Sequence, residues 1–133
     1  MPSTQRLRWM PLWQVIGWVM VAYIIYVTLT PQPPAAGKIL WDKIYHFAGY
    51  FSLMAWFAQL AQQLKQRLLI AMGFCLLGVL LEFGQRMGVA RHFEFADMLA
   101  NSLGVVVALI LFRGPLGKIL HQFEIVFVIK KNK

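Results

Sequence analysis

The chain of 133 residues is 59% hydrophobic and only 14% charged, and it carries a formal net charge of +8. A soluble domain of this length does not bury that much apolar side chain, so the composition indicates a membrane protein with a single domain, residues 1–133. The basic residues lie mainly in short segments beside apolar runs, which suits anchoring to membrane lipids and argues against nucleic acid as a partner.

The first predicted helix, residues 9–29, is an apolar run long enough to span a membrane. Trp9, Trp13 and Tyr26 lie near its ends, as interfacial aromatic side chains do. Two arginines precede the run, as in a signal peptide. The run is longer than the apolar core of a signal peptide and only a weak cleavage site follows it, so we expect the helix to be retained. Residues 30–34, TPQPP, end it because proline lacks an amide donor.

Three further helices are predicted at residues 44–64, 68–87 and 97–112. The third and fourth uncharged runs are short for spans, which leaves a tilted or re-entrant arrangement open. Residues 113–133 alternate apolar and basic side chains, which predicts an interfacial helix or a partly ordered basic tail. The sole cysteine, Cys75, offers no disulfide and no cysteine-based metal site. The predicted fold class is all-α, an integral membrane bundle of four transmembrane helices.

The distribution of basic residues predicts the orientation of these helices. The larger group consists of Arg6, Arg8, Lys65, Arg67, Arg113, Lys118, Lys130, Lys131 and Lys133. The smaller group, on the other side, consists of Lys38, Lys43, Arg86 and Arg91. Because the side richer in Lys and Arg faces the cytoplasm, we expect both the N- and the C-terminus to be cytoplasmic.

Polar residues recur at helical spacing near the predicted outer ends of the last three helices. The three sets are Asp42, His46 and Tyr50 at i, i+4 and i+8, Glu82 and Gln85 at i and i+3, and Asp97, Asn101 and Gly104 at i, i+4 and i+7. Each set occupies one helix face, and a rise of about 1.5 Å per residue brings the sets to similar depth. Charged side chains in membrane helices are energetically costly unless they are paired with each other or have a function. We therefore expect the three faces to pack together, so that their polar groups contact one another instead of lipid.

The candidate catalytic residues are Glu82, Asp97 and His46. Neighbouring buried carboxylates push their pKa values apart, which provides a proton donor and a base, and His46 is a second candidate base. The candidate ligand-binding residues are Asp42, Lys43, Tyr50, Gln85, Arg91 and Asn101, of which Lys43 and Arg91 suit a phosphate.

A structural interpretation of the same residues stays open. In it Arg91 pairs one acid, Gln85 or Asn101 caps the other, and the cluster only holds the helices together. Glu94 is interpreted as a solvated loop residue. A metal site formed by His46, Glu82, Asp97 and Asp42 is conceivable, but the chain has no compact ligand motif such as H-E-x-x-H, so no metal site is predicted.

Residues 42–50, DKIYHFAGY, together with Glu82-x-x-Gln85, Arg91 and Asp97-x-x-x-Asn101-x-x-Gly104, resemble the signature of the VanZ-like membrane proteins. That family is named for a member associated with resistance to the glycopeptide teicoplanin. The resemblance covers residues 42–104. It implies a small multi-pass protein of the bacterial cytoplasmic (inner) membrane with a polar cluster at one face, and it brings no established reaction. The short chain lacks the extra helices of larger members.

Three functions are compatible with these features. The first is an enzyme or binding protein at the outer face that acts on or binds a membrane lipid, a lipid-linked cell-envelope precursor or a glycopeptide-like ligand. The second is a non-enzymatic module whose polar cluster only holds the helices together. A proton or ion pathway is the least favoured, because the cytoplasmic halves of the helices contain no acids.

Overall fold

The computed structural model describes residues 6–31, 39–87 and 94–129, and all regular structure within these ranges is helical. The four long helices are α1 (Met10–Leu29), α2 (Ile39–Leu60), α3 (Leu64–Met87) and α4 (Phe95–Leu111). A 3-10 turn (Pro115–Lys118), the short helix α5 (Ile119–Glu124) and a π-helical stretch (Ile125–Ile129) follow. The prediction of an all-α protein is confirmed.

By length and composition, α1 and α3 are each apolar enough to cross a membrane. Helix α4 and the segment Pro115–Phe127 meet this criterion only as a pair, and that pair is bent by 82°. The outer faces of α1, α3 and α4 carry exposed apolar side chains every three or four positions, as lipid-facing helices do. These are Val15, Trp18, Val19 and Tyr23 on α1, Leu69, Met72, Leu76 and Leu80 on α3, and Leu99, Leu103, Val106 and Ile110 on α4.

Helix α2 is the centre of the bundle. Its middle residues Leu53, Met54 and Ala58 are fully buried, and the other three long helices pack around it. The closest approach is to α4 at Gly104, where an added Cβ would overlap the carbonyl oxygen of Phe47 and lie 3.0 Å from the amide nitrogen of Phe51. Only glycine permits this backbone contact, as at small-residue interfaces between membrane helices.

The break between α2 and α3 differs from the prediction. Helix α2 covers residues 39–60 instead of 44–64, and α3 begins at Leu64 instead of residue 68. The side chain of Gln66 accounts for the new start, because its Oε1 accepts hydrogen bonds from the amides of Gln62 and Gln63. A glutamine at the third helical position that bonds back to the N-cap amide is half of a capping box.

The two ends of the bundle are built differently. The polar end consists of the last turns of α1 and α3 and the first turns of α2 and α4. The tail end is opposite, and there α5 folds back across α1. At the tail end the Glu124 carboxylate accepts hydrogen bonds from the amides of Arg8 and Trp9 and from Trp13 Nε1, at 2.7–2.9 Å. The predicted tail is therefore helical as far as Ile129 and is packed against the bundle at Leu120 and Glu124, and residues 130–133 lie outside the described ranges.

Arg67 makes a second set of hydrogen bonds that connects helices at the tail end. Its Nε donates to the carbonyl oxygen of Ala61 at 2.9 Å, and its Nη1 donates to that of Phe112 at 2.8 Å. One guanidinium thus satisfies carbonyl groups left open at the ends of α2 and α4, where a cation is also favoured by the helix dipoles.

Candidate functional site

The N-terminal parts of α2 and α4, together with the residue before α4, supply a group of side chains that we call the polar cluster. It consists of Asp42, Lys43, His46, Glu94, Asp97 and Asn101. The spacing Asp97, Asn101, Gly104 turns one face of α4 toward α2. Because Gly104 lets the two backbones touch one to two turns deeper in the bundle, the polar side chains above it lie within contact distance of each other.

Lys43 is the cation of the polar cluster. Its Nζ donates hydrogen bonds to Glu94 Oε2 and to Asp97 Oδ1, and it lies 3.7 Å from Asp42 Oδ2. These carboxylates stabilise the charged form of the ammonium group. Lys43 therefore stays charged at neutral pH and is already occupied by two carboxylates.

His46 is oriented by its two neighbours on α4. Its Nδ1 lies 3.0 Å from Asn101 Oδ1, and since an amide oxygen only accepts, Nδ1 is the protonated nitrogen of this tautomer. Its Nε2 faces Asp97 Oδ2 at 3.6 Å and Asp42 Oδ2 at 3.9 Å. The side chains of His46 and Asp97 are only 10% and 6% exposed, whereas that of Asp42 is 34% exposed and opens the group to the surface.

Glu82 lies on α3 beside the polar cluster and is 1% exposed. Its Oε1 accepts a hydrogen bond of 2.9 Å from the backbone amide of Glu94, the residue that precedes α4. Glu82 therefore fixes the start of α4, whereas Asp97 is bound by Lys43. The two candidate catalytic acids take different donors and serve different roles.

Tyr50 lies deeper in the bundle, one helical turn below His46. It is 2% exposed, and its hydroxyl has no hydrogen-bond partner among the described residues. Its ring and the Asn101 side chain both pack at Gly78, where an added Cβ would lie 3.4 Å from the ring and 3.1 Å from Asn101 Nδ2. The Tyr50 hydroxyl is a buried polar group that is available to a ligand or a water.

Gln85, a predicted ligand-binding residue, does not join the polar cluster. Gln85 donates from Nε2 to the carbonyl oxygen of Thr28 and so holds the last turn of α1. Arg91 lies outside the described residues, so its predicted pairing with an acid stays a prediction.

The sequence did not indicate the contacts of two acids, Glu94 and Glu124. Glu94 is predicted to be a solvated loop residue, whereas in the structure its side chain binds Lys43 and its backbone amide donates to Glu82. Its position three residues before Asp97 was a usable signal, because i and i+3 share a helix face. Glu124 was overlooked as a capping group, and the signal there was a single acid in an otherwise basic tail.

The polar cluster has the chemistry of a site that accepts hydrogen bonds or protons. Within it, three carboxylates face one ammonium group. His46 presents an unprotonated nitrogen between two of these carboxylates, which is how a general base is oriented.

Comparisons of the chain with protein-family models, with curated proteins and with solved structures found no match. The resemblance to the VanZ-like proteins therefore stays a prediction, and the site is interpreted from its own geometry.

Proposed function

We propose that this chain is a VanZ-like protein with four membrane spans and that its polar cluster binds the headgroup of a lipid or lipid-linked cell-envelope precursor. The proposal sets the site at the outer face of the bacterial cytoplasmic membrane, with both termini inside. The observation that carries it is the buried His46–Asp97 pair at a helix end, reached from the surface through the partly exposed Asp42.

The distribution of charge among the described residues supports the proposed orientation. The tail end has six basic residues and the polar end has two, and the richer end is the one expected in the cytoplasm. The tail-end residues are Arg6, Arg8, Lys65, Arg67, Arg113 and Lys118, and those at the polar end are Lys43 and Arg86.

The contacts of the polar cluster indicate which part of a headgroup fits best. Lys43 is held by Glu94 and Asp97, so a phosphate would have to compete with two carboxylates for it. His46 Nε2 and the oxygens of Asp42 and Asp97 instead form a surface of acceptors. Hydroxyl, amine or amide donors, such as those of the sugar or peptide part of a lipid-linked precursor, match this surface.

The same geometry supports proton transfer from a bound hydroxyl or amine. His46 Nε2 would accept the proton, Asn101 would hold the ring, and Asp97 would stabilise the imidazolium that forms. Analysis of the ligand after binding shows whether a bond in it then breaks.

A second candidate, the structural module, is favoured by one observation. Lys43 bridges the first turns of α2 and α4 through Asp97 and Glu94, which is also the arrangement that a helix clamp requires. In that case changes in the polar cluster alter stability and leave ligand binding unaffected.

The variant His46→Asn separates the two candidates. Asparagine keeps a donor near the position of Nδ1 for Asn101 and removes Nε2. We expect the full chain in nanodiscs to bind a lipid-linked disaccharide-pentapeptide precursor, and H46N to bind it at least about tenfold more weakly, equivalent to about 1.4 kcal/mol. The control His121→Asn, at the tail end, should bind as the wild type does.

Equal binding by the wild type and H46N would overturn the proposal, as would no binding of the precursor by the wild type. A drop in melting temperature with unchanged binding would establish the structural module. Mass spectrometry of the recovered lipid shows whether turnover occurs. Teicoplanin susceptibility of bacteria that produce each variant gives a cellular readout.

A further inference from the structure

We infer that Asp42, His46 and Asp97 form a binding site for one divalent transition-metal ion, for which Zn²⁺ is the best match. This inference goes beyond the proposed function and gives His46 Nε2 a different role, because a nitrogen that binds an ion does not accept a proton at the same time. Metal binding is measured without any lipid.

The spacing of the three ligand atoms fits a metal site. One carboxylate oxygen each from Asp42 and Asp97 and one ring nitrogen of His46 all lie within 4.8 Å of one another. Nε2 is 3.6 Å from Asp97 Oδ2 and 3.9 Å from Asp42 Oδ2. Ligand atoms around a tetrahedral Zn²⁺ with bonds of ~2.0–2.1 Å are roughly 3.4 Å apart. The two distances from Nε2 exceed this separation by a few tenths of an ångström.

The state of the His46 ring is an independent observation that points to a ligand. Nε2 belongs to a side chain that is 10% exposed, and it lies beyond hydrogen-bond distance of both flanking carboxylates. The other ring nitrogen donates to Asn101. Histidines that bind metals commonly donate their second N–H in this way, which fixes the tautomer that leaves a lone pair for the ion.

The charges leave room for a dication. Among the described residues of the polar cluster, three carboxylates surround one ammonium group, which favours a bound cation. Lys43 binds Asp97 through Oδ1, whereas the oxygen that faces His46 is Oδ2, so at Asp97 the ammonium and an ion use different oxygens. At Asp42 the oxygen that faces His46 also lies 3.7 Å from Nζ, which is beyond hydrogen-bond distance. Asp42, at 34% exposure, provides the entry path from the surface.

The donor set selects the class of metal. One imidazole and two carboxylates suit Zn²⁺ or Mn²⁺ better than Ca²⁺ or Mg²⁺, which prefer all-oxygen sites. Three protein ligands also leave a fourth tetrahedral position open for water or for an oxygen atom of a bound molecule.

The test uses the untagged full-length chain in detergent, stripped with a chelator and titrated calorimetrically with Zn²⁺ and, separately, with Mg²⁺. We expect one saturable Zn²⁺ site per chain. H46N and Asp97→Asn should weaken it by about 100-fold or more, and Asn101→Leu, which removes only the partner of the ring, by about 10–100-fold. His121→Asn and Cys75→Ser are the matched controls and should bind as the wild type does.

No saturable Zn²⁺ binding by the wild type would overturn the inference, as would wild-type affinity in folded H46N or loss of binding in either control. A measurement without any substitution covers the case in which H46N or D97N fails to fold. The wild type loaded with Co²⁺ should show the intense visible absorption of four-coordinate nitrogen and oxygen ligation, and the weak spectrum of hydrated Co²⁺ would overturn the inference.

Discussion

Lys43 controls the charge balance of the polar cluster at the scale of single residues. Its ammonium is the donor to Asp97, a carboxylate that is 6% exposed. Lys43→Gln leaves that carboxylate without its cation, and we expect a loss of about 3 kcal/mol of unfolding free energy, because breaking a buried pair from one side strands the other charge. Thermal unfolding in detergent measures the effect.

The exposed Lys65, at the tail end, is the matched control. Lys65→Gln should change the unfolding free energy by less than about 0.5 kcal/mol. The double variant K43Q/D97N should recover part of the loss, because the stranded charge is then gone. A K43Q protein as stable as K65Q would show that the ion pair between Lys43 and Asp97 contributes nothing to the free energy of unfolding.

Individual partners were only partly predictable from the sequence. The i, i+4 spacing correctly predicted that Asp42 and His46 share a face, as do Asp97 and Asn101, and these faces meet. The pairing of Glu82 with Gln85 was less informative. Residues three apart differ by about 60° around the helix axis, and this difference is enough for Gln85 to reach Thr28 on α1 while Glu82 reaches Glu94.

At the scale of helices, the contact between α2 and α4 depends on Gly104. A Cβ there would overlap the Phe47 carbonyl oxygen, and backbone atoms do not give way as a side chain does. We expect Gly104→Ala to cost about 1–3 kcal/mol of unfolding free energy through overpacking. Because the polar cluster lies above this contact, Zn²⁺ affinity should fall with it.

Gly73, in the interior of α3, is the control for that substitution. An added Cβ meets nothing within 4 Å there, so Gly73→Ala should leave the packing unchanged. Its higher helix propensity should stabilise the protein by up to about 1 kcal/mol. If both variants changed the melting temperature alike, helix propensity and not the close contact would be the cause.

The presence of four long helices could be predicted from the sequence, but their boundaries could not. Apolar runs predicted four long helices, and four are present. The end of α2 at Leu60 was missed because residues 61–63 contain neither glycine nor proline. The turn is instead stabilised by the side chain of Gln66, and such a contact becomes visible only when the chain has already turned.

At the scale of the whole molecule, Glu124 joins two segments that are 111–116 residues apart in the sequence. Burial alone would raise the pKa of Glu124, but hydrogen bonds from Trp13 and from the amides of Trp9 and Arg8 outweigh it, so the pKa lies below its ordinary value of 4.5. A carboxyl group whose pKa is lowered by folding stabilises the folded state above its ordinary pKa. That stabilisation is lost as the pH falls through the lowered value.

We expect Glu124→Gln to lower the free energy of unfolding by about 2 kcal/mol at pH 7. Charged hydrogen bonds are then replaced by neutral ones, and one backbone N–H faces the NH2 group of the glutamine instead of an acceptor. The difference in stability between the wild type and E124Q should shrink as the pH falls from about 5 to about 3. Melting curves of both proteins across this range provide the measurement. A difference that stays constant with pH would mean that the carboxylate charge has no role.

The membrane character of the chain was predictable from composition, whereas the closure of the tail was not. Exposed apolar faces on α1, α3 and α4 follow from a hydrophobic fraction of 59%. Local periodicity gives no information about a contact across more than a hundred residues, so the single acid that docks the tail on α1 was not assigned a partner.

The enclosure of α2 has a consequence for how the chain enters a bilayer. Helix α2 carries Asp42 and Lys43 in its first turn and is not among the helices apolar enough to cross alone. In the proposed four-span arrangement, its surroundings are supplied by α1, α3 and above all α4, which is synthesised last of the four. In that arrangement α2 depends on helices made later for shelter from acyl chains, and Asp42, Lys43 and His46 obtain their partners only when α4 has been inserted.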